Sequence, residues 1–269
     1  MTLQGSLSHE RYCAELLAEA EAFRDTVRGA DLTATVPTCP DWKLSDLIRH
    51  VGGAHRWAGT MVERRATDAA AFDDVPGGKG PEGDDPDALD RWLAEGAEQA
   101  VRALREAGPE AAVWTWTPLR RAGFWARRMT HETVVHRADA AVTARAPFEV
   151  APEVAADCLE EWFQLGELPE VAARLAAREG VKTPFAPGRS IHLHATDASP
   201  ELNAEWLLDL SGDRVVHRRA HGKASVAVRG PLTDLLLVVF QRLPADSDRV
   251  EIIGDREVLD AWLEYATFG

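Results

Sequence analysis

The sequence has little that would cross-link the chain, anchor it in a membrane or carry it to a nucleic acid. Its three cysteines are too few for a disulfide framework or a cysteine zinc site. No apolar run approaches the length of a membrane span, and the first six residues lack the basic and then apolar pattern of a signal peptide. The net charge of −14 argues against a nucleic-acid or anionic-membrane surface. These absences predict a reduced, cytoplasmic protein.

What the sequence does contain is typical of a soluble globular protein. Hydrophobic residues make up 45% of the chain and charged residues 28%, which is the balance that a packed core needs. The 269 residues are enough for one large domain or two ordinary ones. Nine tryptophans are many for this length, and such large rings suit both a core and a ligand cleft.

The first part of the chain has the period of amphipathic helices. Apolar residues recur every three or four positions in four segments, and these are residues 9–28, 44–65, 88–107 and 123–145. The prolines of Val36 to Trp42 exclude a helix there and predict an extended loop. Four helices with one long and several short connections predict a four-helix bundle.

After residue 188 the apolar period changes from that of a helix to the alternation of β-strands. Five strands and two helices are predicted, namely strands over 190–196, 205–210, 214–218, 224–229 and 250–253 and helices over 231–242 and 255–266. One or two more helices are predicted over 151–180. We therefore predict a bundle with extra helices over 1–182 and a small α/β domain with a mostly antiparallel sheet over 190–269.

Two side chains in the fourth predicted helix could share a metal ion. Glu132 and His136 are four residues apart, which places them on one face, one turn apart. A carboxylate and an imidazole so placed can bind a divalent cation, although a solvated polar face with an incidental histidine has the same spacing. His131 is five residues from His136, about 140° around the helix, which excludes the His-Glu-x-x-His zinc-protease arrangement.

Other histidines are candidates of lesser weight. His50 and His55 are five residues apart in the second predicted helix, so at most one of them points into any given site. His50 falls on the inward arc and is the better ligand candidate, with a core histidine bonded to a backbone carbonyl as the alternative; His55 falls nearer the edge. His192 and His194 face one side of a predicted strand, but they lack a third ligand, which favours ordinary sheet packing. His217 and His221 carry no usable signal.

Three motifs taken together resemble the mycothiol-dependent maleylpyruvate isomerase family. They are Val36-Pro-Thr-Cys-Pro-Asp-Trp42, then Leu47-Ile-Arg-His50 followed by Trp57, and finally Glu132-x-x-x-His136-Arg-x-Asp139. That family belongs to the DinB-like bundle superfamily, which includes thiol S-transferases, and the segment from Ser190 resembles its small C-terminal domain. The resemblance implies a divalent metal, zinc or another such as nickel, on His50, Glu132 and His136, with mycothiol as the thiol cosubstrate.

The same resemblance implies an activity and further site residues. Three protein ligands leave an open position for a thiol, whose pKa the metal would depress. The implied enzyme adds this thiolate to an electrophilic small molecule, as an isomerase or an S-transferase. Asp139 could orient a ligand or be an exposed helix carboxylate. Arg242, with Arg229 second, is the candidate for binding substrate or thiol, although a helix dipole also favours a basic residue there. Trp57 is a candidate for the thiol-binding wall, and Cys39 need not be the nucleophile.

Two other classes of protein compete with this interpretation. A protein of the same fold could bind a metal or a small ligand without turnover, because fold does not determine function. A transcription partner with a metal-sensing bundle would need a DNA or protein surface that the acidic composition does not supply. The predicted partners are therefore a small electrophile and a low-molecular-weight thiol, on a monomer or homodimer, without nucleic acid or membrane.

Overall fold

The computed structural model describes residues 5–267, which form two compact units. Leu7–Phe148 make one unit, and residues 149–267 make the other together with residues 5 and 6. The boundary predicted from the sequence lies between residues 182 and 190 instead, which groups the helices over 151–180 with the bundle. Among residues 5–267 no helix combines the length and the hydropathy needed to cross a bilayer.

The first unit is the predicted four-helix bundle. Its helices are α1 (His9–Val27), α2 (Leu44–Glu63), α3 (Pro86–Ala107) and α4 (Ala122–Ala144), close to the limits that the sequence predicts. Both α1 and α2 pack against α3 and α4, so the apolar faces of all four helices meet. The core beside the candidate site consists of fully or nearly fully buried residues, which are Phe23, Val36, Leu44, Leu47, Ile48, Val51, Leu89, Leu93 and Ala140.

Local chemistry explains where the helices begin and how closely they pack. The Ser8 side chain accepts a hydrogen bond from the Arg11 N–H at the start of α1, as an N-cap should. Gly108 has φ 71° and ends α3 in the left-handed region that glycine adopts at little steric cost. Where α2 crosses α3, a Cβ on Gly59 would lie 3.0 Å from the Ala100 Cα. Two small residues therefore allow these helices to approach closely.

The extended segment between α1 and α2 folds as a two-stranded hairpin. Strand β1 (Thr35–Val36) pairs antiparallel with β2 (Cys39–Lys43), and the pair packs against α2 and α4. The Val36 side chain is buried in the core, which holds the hairpin against the bundle. The segment with the prolines is thus extended, as predicted. Side chains of the hairpin lie where α2 and α4 pack against each other.

The second unit combines helices with a five-stranded sheet. The helices are α5 (Pro152–Gly166), α6 (Pro169–Ala176), α7 (Leu232–Val239) and α8 (Arg256–Tyr265), and the strands are β3 (Ser190–Ala195), β4 (Glu205–Asp209), β5 (Val216–Arg219), β6 (Val226–Gly230) and β7 (Glu251–Gly254). The strand order is β5-β4-β3-β6-β7. Only the β3–β6 pairing is parallel, so the sheet is mixed although mostly antiparallel. Helix α5 packs on α7 and β5, which is why it belongs to this unit.

The two faces of the sheet have different compositions. Ile191 and Leu193 of β3 are fully buried, on a sheet whose strands β3 and β6 contact α7 and α8. Because side chains alternate along a strand, His192 and His194 lie on the opposite face. Glu205 of β4 pairs directly with His194 and shares that face. This face of β3 and β4 therefore carries a group of polar side chains.

Candidate metal centre

The bundle brings together the three side chains that the motifs single out. Helix α2 supplies His50, and α4 supplies Glu132 and His136. The Glu132 Oε1 atom lies 3.1 Å from His50 Nε2 and 3.2 Å from His136 Nε2, and one ligand atom from each residue lies within 4.8 Å of the others. The side chains of His50 and Glu132 are 36% and 26% exposed, so a small molecule can reach the cluster from solvent.

The burial of the two α2 histidines is the reverse of the sequence expectation. His55 was placed at the edge of the helix, but it is fully buried and its Nε2 lies 2.8 Å from Thr133 Oγ1. Burial lowers the pKa of His55 to about 4, so the ring is neutral at physiological pH. The expectation was wrong because the His55 side chain faces α4, where Thr133 lies. His50 is the more accessible of the two.

A buried carboxylate is hydrogen-bonded to the His136 ring. Asp139 is fully buried, which excludes the alternative of an exposed helix carboxylate. Its Oδ2 lies 2.8 Å from His136 Nδ1, and its Oδ1 accepts a hydrogen bond from the Thr38 hydroxyl of the hairpin. A carboxylate that accepts from one ring nitrogen turns the other nitrogen toward the ligand position. Sequence reasoning missed Thr38, whose only signal was its place within the quoted Val36-to-Trp42 motif.

The charges around the cluster favour a cation. Burial opposes ionisation of Glu132, but contacts with His136, His50 and Arg128 hold the pKa of its carboxyl well below the usual range. Burial also opposes protonation of His136, yet its contacts with Asp139 and Glu132 raise the pKa of the ring to about 9. A proton held between two carboxylates marks a place where positive charge is stabilised. Arg128 approaches the other Glu132 oxygen, Oε2, at 3.4 Å and leaves Oε1 to the histidines.

An aromatic ring from the hairpin lies against the cluster. The Trp42 ring centroid is 4.8 Å from that of His50 and 6.2 Å from that of His136. Beside them is an open cleft with a volume of about 430 Å³, lined by Asp41, Trp42, Asp46, Arg49, His50, Phe72, Gly78 and Lys79. Trp42 was not among the candidate residues, although it closes the first quoted motif. The motif therefore contained Trp42, but it is the hairpin that places this ring beside the histidines.

The remaining candidates have contacts of their own. The Trp57 ring packs edge-on against Trp125, with centroids 5.0 Å apart, and its Nε1 donates to the Ala70 carbonyl; it does not line the cleft beside His50. Arg242 belongs to the second unit, where its Nη1 donates to the Phe240 carbonyl at 2.6 Å. Arg229, also in the second unit, lies 3.3 Å from Glu251. The predicted roles of Trp57, Arg242 and Arg229 in binding thiol or substrate stay predictions.

The fold and this cluster define a class of protein, a helical bundle with a two-histidine, one-glutamate cluster followed by an α/β domain. Residues 13–141 match the family profile described as the mycothiol maleylpyruvate isomerase N-terminal domain, and residues 147–261 match the profile of the corresponding C-terminal domain. The chain therefore belongs to the mycothiol-dependent maleylpyruvate isomerase family, as the motifs indicated.

Solved structures agree with this assignment at the level of the fold. The crystal structure of a mycothiol-dependent maleylpyruvate isomerase is 16% identical, with a TM-score of 0.52 over 91% of this chain and 93% of that one. A histidine-to-alanine mutant of such an isomerase gives 17% identity, the same TM-score and the same coverage. No curated protein sequence gives a significant match.

Proposed function

We propose that this protein is a divalent-metal-dependent enzyme that adds a low-molecular-weight thiol to an electrophilic small molecule. The observation that carries the proposal is the convergence of His50, Glu132 and His136 on one accessible point. Membership of the family makes mycothiol the expected thiol and makes isomerase or S-transferase chemistry the expected reaction. A protein of the same fold that binds a metal or small ligand without turnover is the alternative.

The donor set fits a catalytic cation. His50 Nε2, His136 Nε2 and Glu132 Oε1 would hold the ion, and two imidazoles with one carboxylate are a known ligand set of catalytic zinc, with a fourth position left open. When bound, the ion would lower the pKa of a thiol and so supply it as the nucleophilic thiolate. No cysteine of the chain is needed for this chemistry.

Several residues of the chain prepare this centre. Asp139 accepts a hydrogen bond from the Nδ1–H of His136 and thereby directs Nε2 toward the ligand position. The Thr38 hydroxyl donates a hydrogen bond to Asp139 and holds it in place. Arg128 lies beside Glu132 Oε2 and so orients Oε1 toward the histidines. The Trp42 ring offers an apolar wall on which a bound substrate can pack, and it shields one side of the centre from water.

The reaction is the making and breaking of one carbon–sulfur bond. In an isomerase the thiolate adds to one carbon of a conjugated double bond, the resulting single bond rotates, and elimination breaks the carbon–sulfur bond and returns the thiolate. In a transferase the carbon–sulfur bond persists and a proton is added to the neighbouring carbon. Both outcomes begin with the same nucleophile, so the centre by itself is compatible with either.

Metal content and turnover test the proposal together. The purified chain, the His50→Ala variant and the His136→Ala variant are loaded with Zn²⁺, dialysed and analysed by mass spectrometry. We expect each variant to hold one zinc fewer per chain than the unaltered protein and to lose mycothiol-dependent consumption of maleylpyruvate or another α,β-unsaturated carbonyl compound. His9→Gln removes a histidine of the same unit that contacts the Leu104 carbonyl instead, and it should retain both properties.

Each other outcome discriminates between the hypotheses. If both variants retain as much zinc as the unaltered protein, then these three residues do not form a metal centre. If the unaltered protein binds the ion at His50 and His136 but forms no thiol-dependent product with any of the electrophiles, then the alternative of binding without turnover is the better description.

A further inference from the structure

A second group of side chains of the types that bind metals lies on the sheet face opposite to that of Ile191 and Leu193. His192 and His194 come from β3, Glu205 comes from β4, and His221 comes from the segment that follows β5. The Glu205 Oε2 atom lies 3.0 Å from His192 Nε2, 3.1 Å from His194 Nδ1 and 2.8 Å from His221 Nδ1. One ligand atom from each of the four residues lies within 4.8 Å of the others.

From the sequence alone, the two β3 histidines lack a third ligand. Strand pairing supplies one, because Glu205 is the antiparallel partner of His194 and side chains opposite each other project to the same face. The chain then returns along β5 and supplies His221. The Gly222 backbone lies so close to the sheet that a Cβ there would be 2.8 Å from Leu207 Cδ1. Its neighbour His221 therefore lies against the same sheet face as Glu205.

The geometry is tighter than sheet packing requires. Three ring nitrogens converge on a single carboxylate oxygen, which has about two lone-pair directions, so that oxygen cannot serve all three rings well. The spacing resembles that of a coordination shell, since ligand atoms about 2.1 Å from a tetrahedral zinc ion lie roughly 3.4 Å from one another. Replacing the shared contact by a cation would satisfy all four groups at once.

We propose that His192, His194, Glu205 and His221 form a second divalent-cation site, of the kind that binds zinc. Four protein ligands fill a tetrahedral shell, which is typical of structural rather than catalytic zinc. His192 is buried and His194 and Glu205 are partly buried, whereas the His221 side chain is 77% exposed. Because His221 belongs to the segment after β5 and the other three ligands belong to β3 and β4, a bound ion would hold that segment against the sheet. This site uses none of the residues of the centre in the bundle and does not depend on its activity.

The test is zinc binding by the full chain in which the bundle centre has been removed. In the His50→Ala/His136→Ala background, equilibrium dialysis against Zn²⁺ should give one zinc per chain. Adding His221→Ala or Glu205→Gln should weaken binding by more than about tenfold, because loss of a direct ligand costs at least as much as loss of a group that only supports one. Lys223→Ala alters the same exposed segment without removing a ligand and should leave the affinity unchanged.

Limited proteolysis gives a readout that does not depend on metal stoichiometry. Zn²⁺ should slow cleavage at Lys223 in the background protein, and the His221→Ala substitution should abolish that protection. His221 is exposed, so its replacement does not endanger the fold, whereas loss of the buried His192 could. The proposal is overturned if the background protein binds no zinc, or if His221→Ala and Glu205→Gln both bind it with unchanged affinity. In the first case any zinc in the unaltered chain belongs to the bundle centre alone.

Discussion

At the scale of single residues, the contacts of the candidate metal ligands with their neighbours are as informative as the ligands themselves. His136 is flanked by Glu132 on one ring nitrogen and by Asp139 on the other. The Asp139 carboxylate is fully buried and therefore acts at close range in a medium that screens charge poorly. A histidine so supported keeps a single orientation, which lowers the cost of organising the centre when an ion binds.

Asp139→Asn should weaken zinc binding at the bundle centre by about 10- to 100-fold, because the neutral amide keeps the size of the side chain but no longer supports His136 with a charge. Competition with a chromogenic zinc chelator measures the affinity in the Glu205→Gln background, which removes the second candidate site. Thr38→Ser keeps the hydroxyl that donates to Asp139 and serves as the control. If Asp139→Asn binds zinc as tightly as the protein that keeps Asp139, then this carboxylate does not support His136 as a ligand.

Trp42 lies close enough to the two histidines to contact whatever binds there. Trp42→Ala should leave zinc content unchanged and raise the KM of the thiol or the electrophile by about two- to thirteenfold, which corresponds to the loss of about 0.5–1.5 kcal/mol of aromatic contact. Steady-state kinetics separates KM from kcat. Trp116→Ala removes an exposed ring packed on Phe124 and should leave KM unchanged; an equal effect in both variants would refute a role for Trp42 in binding.

At the scale of elements, a buried ion pair joins the first and fourth helices of the bundle. Arg137 Nε of α4 lies 2.6 Å from Glu19 Oε2 of α1, and the two side chains are only 6% and 8% exposed. The guanidinium also stacks on the Phe148 ring, 4.4 Å from its centroid. Because α4 carries both Glu132 and His136, this pair also stabilises the helix that carries two of the three candidate ligands.

Arg137→Met should destabilise the bundle by about 3–5 kcal/mol, because it leaves the Glu19 carboxylate buried without its cation. Urea unfolding followed by circular dichroism measures the change. Arg11→Met breaks a pair on α1 in which Arg11 is 48% and Glu15 15% exposed, and it should change stability by no more than about 0.5 kcal/mol. Comparable losses in the two variants would mean that burial does not distinguish these pairs. The double variant Arg137→Met/Glu19→Leu should recover much of the stability, since it removes both charges.

At the scale of the whole molecule, one largely buried histidine of the second unit should make the stability of the chain depend on pH. In the second unit, His217 lies 2.9 Å from Glu160 and 2.7 Å from Glu167, and Arg219 also binds Glu160. Burial opposes the charge on His217, but the two carboxylates raise the pKa of the ring to about 9. The same network lowers the pKa of Glu160 to about 2 against the effect of burial.

The sign of the pH dependence follows from the raised pKa of His217. The folded protein binds this proton more tightly than the unfolded chain, whose histidine has its ordinary pKa of about 6.5. The stabilisation is therefore complete below pH 6.5 and is lost as pH rises through about 9. His217→Gln should reduce the free energy of unfolding by on the order of 3 kcal/mol more at pH 6 than at pH 9.5.

Urea unfolding of the full chain at the two pH values measures this difference. Arg218→Gln, on the same strand but exposed, should retain the pH dependence of the unaltered protein. A loss of stability in His217→Gln that is equal at both pH values would show that the ring contributes through packing and not through its charge.

Much of the fold could be predicted because helices and strands are specified by neighbouring residues. The period of apolar residues indicated α1 to α4, and the change to alternation after residue 188 indicated the strands. The four-residue spacing of Glu132 and His136 placed both on one face of a helix for the same reason. His50 lies on another helix; its position on the inward arc made it a candidate, and only the family motif joined it to the Glu132 and His136 pair.

The rest depended on contacts between residues far apart in the chain. The burial of His55 and Asp139, and the approach of Thr38 and Trp42 to the histidines, follow from how α2, α4 and the hairpin pack. The boundary near Phe148 follows from the packing of α5 on α7 and β5.

The sequence by itself thus determined the helices of the bundle, the strands after residue 188, the family and the Glu132 and His136 pair, since each of these follows from local spacing or from motifs. Only the tertiary structure decided what surrounds each histidine. Strand pairing put Glu205 beside His194, and the return of the chain after β5 added His221 to the same group. The physical reason is that a coordination shell is a set of distances in space, and distances between remote residues are set by packing.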